Sequence, residues 1–221
     1  MTPRLPALIL GLLPIVPALA QDAVPIEQEP RHRLVFQNEH IRYFDVELEP
    51  GYRSLYHWHR NDGVFVNIAS SPTVAQDLGK EPVSRPGRAV GETYFIGYGT
   101  KPKAHRVANA GTTPYHVADA EILRGCGGLP GGDAAGREVL VDNERAVVTR
   151  VMLQPGESTE LGAPCGVLVA VSAGSVSTES AAGESRADLA PAGYLWRQQD
   201  TPVKLTNAGS GVFHAIDVRL K

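Results

Sequence analysis

Three of the seven histidines in this 221-residue chain form a set whose spacing could do chemistry. His57 and His59 flank Trp58, and His105 lies further along. On a strand, residues i and i+2 point the same way. Two imidazoles would therefore project together, with Trp58 on the opposite face. Imidazole suits zinc, copper, iron and nickel alike. Three protein ligands are the number a catalytic site uses when it keeps a position open. The expected cofactor is one divalent transition metal (Fe, Zn, Mn, Cu or Ni) on His57, His59 and His105. No clear general base stands beside the set, and Tyr98 and Asp62 are the first candidates for catalytic roles. Arg53, Lys103 and Arg106 lie near the ligands in sequence and are candidate anchors for an anion, although surface solvation explains each alone. Tyr43, Tyr56, Tyr94 and Tyr98 are candidates for a pocket wall. His116 and His214 read as structural, and His32 and His40, which carry no motif, read as surface residues.

The elements that must carry these residues are short strands. Ile41 to Leu48 alternates, as do Tyr115–Leu123, Val147–Leu153 and Val212–Leu220. Pro50-Gly51, Pro86-Gly87, Pro155-Gly156 and Asn207-Ala-Gly209 punctuate them as turns. Alternating runs between turns argue for an antiparallel sandwich or barrel. The pattern is written twice. Phe36-Gln-Asn38-Glu39, then Leu48-Glu-Pro-Gly51, returns 105 residues later as Val141-Asp-Asn143-Glu144, then Leu153-Gln-Pro-Gly156. Asn109-Ala-Gly111 before Tyr115-His116 returns 98 residues later as Asn207-Ala-Gly209 before Phe213-His214. Constant offsets at both ends mean one fold repeated with a shorter middle. The Gly-rich stretch within 124–138 separates the copies. By these offsets His57, His59 and His105 correspond to Gly162, Pro164 and Val203, so the second copy keeps no ligand.

These residues resemble the cupin superfamily. Its first motif, G-x5-H-x-H-x(3–4)-E, maps onto Gly51, His57 and His59. Its second motif ends H-x3-N and maps onto His105 and Asn109, with Gly91 opening it across three extra residues. The resemblance implies an all-β fold of two tandem jelly-roll barrels, a metal-binding cupin at 34–123 and a metal-free one at 139–221. One departure matters. The first-motif glutamate falls at Gly63 or Val64, and neither can bind through its side chain. Asp62 is one place early. A three-histidine site, completed by water, resembles the three-histidine thiol dioxygenases among the cupins and also an open zinc site. Losing the carboxylate leaves the ion its full charge and favours an anionic substrate if Asp62 stays out.

The chain opens with Arg4, an uncharged run from Leu5 to Leu19 and an Ala18-Leu19-Ala20 end, the three parts of a signal peptide over residues 1–20. The run is shorter than the roughly 20 residues a membrane span needs. A periplasmic or secreted protein is expected, with no membrane attachment after cleavage. In such a compartment Cys126 and Cys165 are most simply one disulfide, with two free thiols the competing reading. Losing Arg4 takes the formal charge from −3 to −4. With no basic patch, a nucleic-acid partner is disfavoured. The expected partner is a small molecule, and the resemblance allows a homodimer. Three functions stay open: a metal-dependent enzyme, with iron-dependent dioxygenation in the lead and zinc or manganese chemistry behind it; a non-catalytic binder of metal or small ligand; and a structural protein with a vestigial site.

Overall fold

The computed structural model describes residues 22–127, 137–162, 165–198 and 202–221. The expected signal peptide at 1–20 lies outside them, as does most of the expected linker at 124–138.

The first module contains strands β1 (Val24–Pro25), β2 (His32–Gln37), β3 (Ile41–Leu48), β4 (His57–His59) and β5 (Asp62–Ala69). It continues with β6 (Thr73–Asp77), β7 (Val83–Arg85), β8 (Thr93–Ile96), β9 (Lys103–Asn109) and β10 (Tyr115–Ile122). A 3-10 turn at Ile26–Gln28 follows β1. These strands form two sheets, β2-β3-β10-β5-β8 and β1-β4-β9-β6-β7. β1 and β2 thus belong to the first module's sheets, although they begin before residue 34.

The second module contains β11 (Val139–Asp142), β12 (Ala146–Leu153), β13 (Ser158–Leu161), β14 (Gly166–Ala170) and β15 (Gly174–Ser180). It ends with β16 (Gly183–Leu189), β17 (Tyr194–Arg197), β18 (Val203–Asn207) and β19 (Phe213–Leu220). Its sheets run β11-β12-β19-β14-β17 and β13-β18-β15-β16. That is the first module's order again without β1. The chain is two jelly-roll modules in tandem.

The residues that revealed the repeat turn out to build it. The Asn109 side chain donates to the carbonyls of Leu48 and Thr113, both at 2.8 Å. Asn207 donates to those of Leu153 and Gly211 at 2.9 and 2.8 Å. Each asparagine pins the end of one sheet to a strand end of the other. Asn38 and Asn143 each accept from the backbone amides two and three residues on, closing the turns into β3 and β12. Gly51 and Gly156 both take positive φ, 79° and 78°, where a side chain would be strained.

Alternation along the strands sends alternate residues to two different cores. Phe44, Val46, Leu48, Phe65 and Val117 fill the first barrel. Their neighbours Ile41, Tyr43, Val64, Val66, Ala118 and Ala120 face outward and pack against Val148, Val167, Val169, Ile216 and Val218 of the second module. The modules therefore meet face to face. Tyr43 donates across this interface to the carbonyl of Ala192 at 2.8 Å, and Phe36 and Tyr43 lie against Tyr194 at 5.3 and 5.1 Å between ring centres. Cys126 and Cys165 form a disulfide across the interface, with Cα atoms 5.9 Å apart. No helix among the described residues is long and apolar enough to cross a membrane.

Candidate metal centre

β4 and β9 are antiparallel neighbours, with His57 directly opposite His105. His59 follows on the same face as His57. The three ring centres lie 4.8 Å (His57–His105), 4.9 Å (His59–His105) and 5.1 Å (His57–His59) apart. Imidazoles sharing an ion at about 2.1 Å from each nitrogen have ring centres roughly 5 Å apart, so the spacing fits a common cation. His57 donates from Nδ1 to the carbonyl of Leu55 at 2.9 Å, which leaves the Nε2 lone pair free. That Nε2 is buried without a hydrogen-bond partner among the described residues, and so is Nδ1 of His59. Orphaned ring nitrogens inside a barrel cost free energy unless something binds them.

The electrostatics keep these rings neutral. Burial, then the other histidines, lower His57 to about 2. Burial, then Lys103 and His32, lower His105 to about 3. His59 falls well below the usual imidazole range, from burial and then His105. Neutral imidazole is the form that ligates metal.

His59 and His105 open on a cavity of about 550 Å³ inside the first barrel. Four cations line it: Arg85, Arg88, Lys101 and Lys103. Of the expected anchors, Lys103 is among them, paired with Asp77 at 2.6 Å. Arg106 is instead engaged with Gln76 and lies over Tyr56. Arg85, the last residue of β7, and Arg88, just beyond it, lie in a stretch with no motif and were not legible as site residues.

Tyr98 is buried, lines the cavity and stacks on His59 at 4.8 Å between ring centres. Burial, then Asp119, raise its phenol far above its ordinary value. It stays protonated and can donate a hydrogen bond but cannot serve as a base near neutrality. Asp62 is directed elsewhere. Its carboxylate accepts from the backbone amide of Gly99 at 2.8 Å and pairs with Arg145 of the second module at 2.9 Å. It ties the β8–β9 loop to the module interface and does not line the cavity.

Two carboxylates that carry no motif stand beside the histidines. Asp119 and Glu121 alternate on the inner face of β10, with oxygens 3.8 and 3.9 Å from Nδ1 of His59. Glu121 accepts from Arg42 at 2.6 and 3.0 Å and from Asn61 at 3.2 Å. Among the described residues Asp119 has no hydrogen-bond partner on either oxygen, and it lines the cavity. Burial, then Glu121, push its carboxyl well above the usual range. The repeat makes the contrast plain. Asp217, its counterpart 98 residues on, is held by buried Arg197 at 2.6 Å.

His32 and His40 are not surface residues. His32 is 8 % exposed and lies inside the first barrel, its ring centre 4.2 Å from that of His57. His40 stacks on Trp196 across the module interface at 5.8 Å. His116 binds Asp45 at 2.6 Å, away from the cavity.

The second barrel is filled rather than vacant. In the register of β13 and β18, Leu161 stands opposite Val203, where the first module has His57 opposite His105. The counterpart of His57 is therefore Leu161, one residue before the expected Gly162. The offsets missed this because the first module carries one more residue ahead of β4. Pro164 lies outside the described residues. Leu161 and Leu205 are fully buried and pack with Leu153, Leu168 and Phe213.

No protein-family model and no curated protein sequence matches the chain. Solved structures do match its shape. AerE from Microcystis aeruginosa superposes with a TM-score of 0.61 at 12% identity, over 87% of this chain and 98% of that one. Oxalate decarboxylase from Bacillus subtilis, a protein with Mn(II) centres, gives 0.54 at 10% identity, over 82% and 69%. YhaK from Escherichia coli gives 0.54 at 12% identity, over 91% and 99%. The fold is that of the cupins, present twice. The histidine triad and the two carboxylates beside it lie in the first module.

Proposed function

We propose that this bicupin is an exported metal-dependent enzyme acting on a small anionic molecule, with non-haem iron oxidation as the chemistry its ligand set supports best. One observation carries the reading: three neutral imidazoles lie within about 5 Å of one another, two of them buried with an unpartnered ring nitrogen, beside a cavity lined by four cations. His57, His59 and His105 would hold the ion. When bound, such an ion supplies a Lewis acid with positions open to substrate, water or oxygen.

The chain's own residues do the rest. Arg85, Arg88, Lys101 and Lys103 draw an anion into the cavity and orient it towards the histidines. Tyr98 donates a hydrogen bond from a fixed position over His59. Asp119 is the carboxyl best placed to hold a proton at the cavity wall. The apolar face formed by Phe65, Val46 and Leu48 excludes water. The expected leader and the Cys126–Cys165 disulfide both support an oxidising compartment.

Elemental analysis of protein purified from its native compartment, paired with oxygen uptake on small carboxylates, thiols and diols, tests this. The expected result is one metal per chain, with His57→Ala, His59→Ala and His105→Ala each lowering metal content, and turnover that follows iron content. Stoichiometric manganese or zinc with oxygen-independent turnover would replace the oxidative version. A full metal complement without turnover of any anion would leave a binding protein.

A further inference from the structure

We propose that His32 is a fourth imidazole of the metal centre, standing in for the glutamate that the first cupin motif lacks. The inference rests on the metal-centre reading above and specifies its ligand set.

Geometry points to His32. One ring nitrogen from each of His32, His57 and His59 lies within 4.8 Å of the others, and all three residues are buried. The His32 ring centre is 4.2 Å from His57 and 6.2 Å from His59. The residue lines the same cavity as His59 and His105. On β2 it pairs directly with Val46, a residue of the barrel interior, so it shares Val46's inward face.

The other side of the ring is built as ligating histidines are built. His32 donates from Nδ1 to Oε2 of Glu29 at 2.7 Å. Glu29 is 2 % exposed and is itself held by the backbone amides of Arg31 and His32 at 2.8 and 3.1 Å. That contact fixes the tautomer and leaves Nε2 with its lone pair towards the cavity. A ligating histidine almost always gives its remaining N–H to a carboxylate or a backbone carbonyl. His57 uses the carbonyl of Leu55, and His32 uses Glu29. Ile26, 1 % exposed, anchors the turn that presents Glu29.

The glutamate's usual place is closed. A Cβ on Gly63 would meet Phe65 at 2.9 Å and Asp119 at 3.1 Å. Val64 points outward into the core between the modules. A neutral fourth nitrogen in place of a carboxylate leaves the ion's charge undiminished, in keeping with the cations around the cavity.

The test counts nitrogens. Copper(II) is loaded into the full chain, and pulsed electron paramagnetic resonance measures the coupled imidazoles, beside affinity from chelator competition. Wild type is expected to show four imidazoles. His32→Ala should keep one ion, show three imidazoles and bind at least 10-fold more weakly. Glu29→Gln should weaken binding by about 10- to 100-fold without changing the count. Three imidazoles in wild type and the same three in His32→Ala would overturn the role of His32 and leave the three-histidine centre standing. Unchanged binding in His57→Ala would remove the centre itself.

Discussion

At the residue scale, what a side chain does here depends on which of its polar atoms is already engaged. His57 spends Nδ1 on Leu55, Asp62 spends its carboxylate on Gly99 and Arg145, and Asp119 spends nothing. Sequence carries residue type and spacing, so the triad was legible from His57, His59 and His105. It does not carry prior engagement, and Asp62 and Asp119 could not be told apart in role. A pH effect belongs to this scale. Burial opposes ionisation of Asp45, but the hydrogen bond and charge of His116, with Arg33, outweigh it and lower the carboxyl below its ordinary value of 3.8. The unfolded chain then binds the proton first as pH falls. The contribution to stability is full above about pH 4 and is lost as pH falls through the folded value. Asp45→Asn should therefore flatten the decline of Tm below pH 4. An unaltered slope would show that this carboxylate is not linked to folding.

At the element scale, β2 shows why part of the site was hidden. Its register with β3 shifts between Leu34 and Phe36. His32 therefore faces inward with Val46, while Phe36, four residues on, pairs with Tyr43 and reaches Tyr194 of the other module. Simple alternation would put both on one face, and a bulge breaks that rule. The strand pattern and the turns were legible because Gly51, Gly156 and the repeated asparagines impose backbone geometry locally. Those asparagines give a prediction. Asn207→Ala leaves the carbonyls of Leu153 and Gly211 without a donor and should cost about 1–3 kcal/mol in denaturant unfolding, with metal content unchanged. A neutral substitution would mean that the sheets do not depend on this tie.

At the scale of the whole molecule, the two modules divide the work. The first keeps polar groups inside a barrel, which is costly. The second fills its barrel with Leu161, Leu205 and Phe213 and offers its outer sheet to cover the first. The repeat made this division legible, since Val203 stands where His105 does. The face-to-face packing was not legible, because an outward-facing Val64 or Ile41 on a strand says nothing about what covers it. The disulfide belongs here too. Replacing both cysteines with serine should lower stability by about 2–4 kcal/mol while one metal per chain is retained. Loss of metal in that variant would mean that module docking shapes the centre.

The central claim is that one cation sits among His57, His59 and His105 of the first module. A crystal structure of the protein as purified, with anomalous scattering recorded across the absorption edge of the metal it contains, tests it most directly. The expected result is a single strong peak bonded to all three rings and no peak in the second barrel. Density in which the rings coordinate nothing, or a peak held by other residues, would contradict the account.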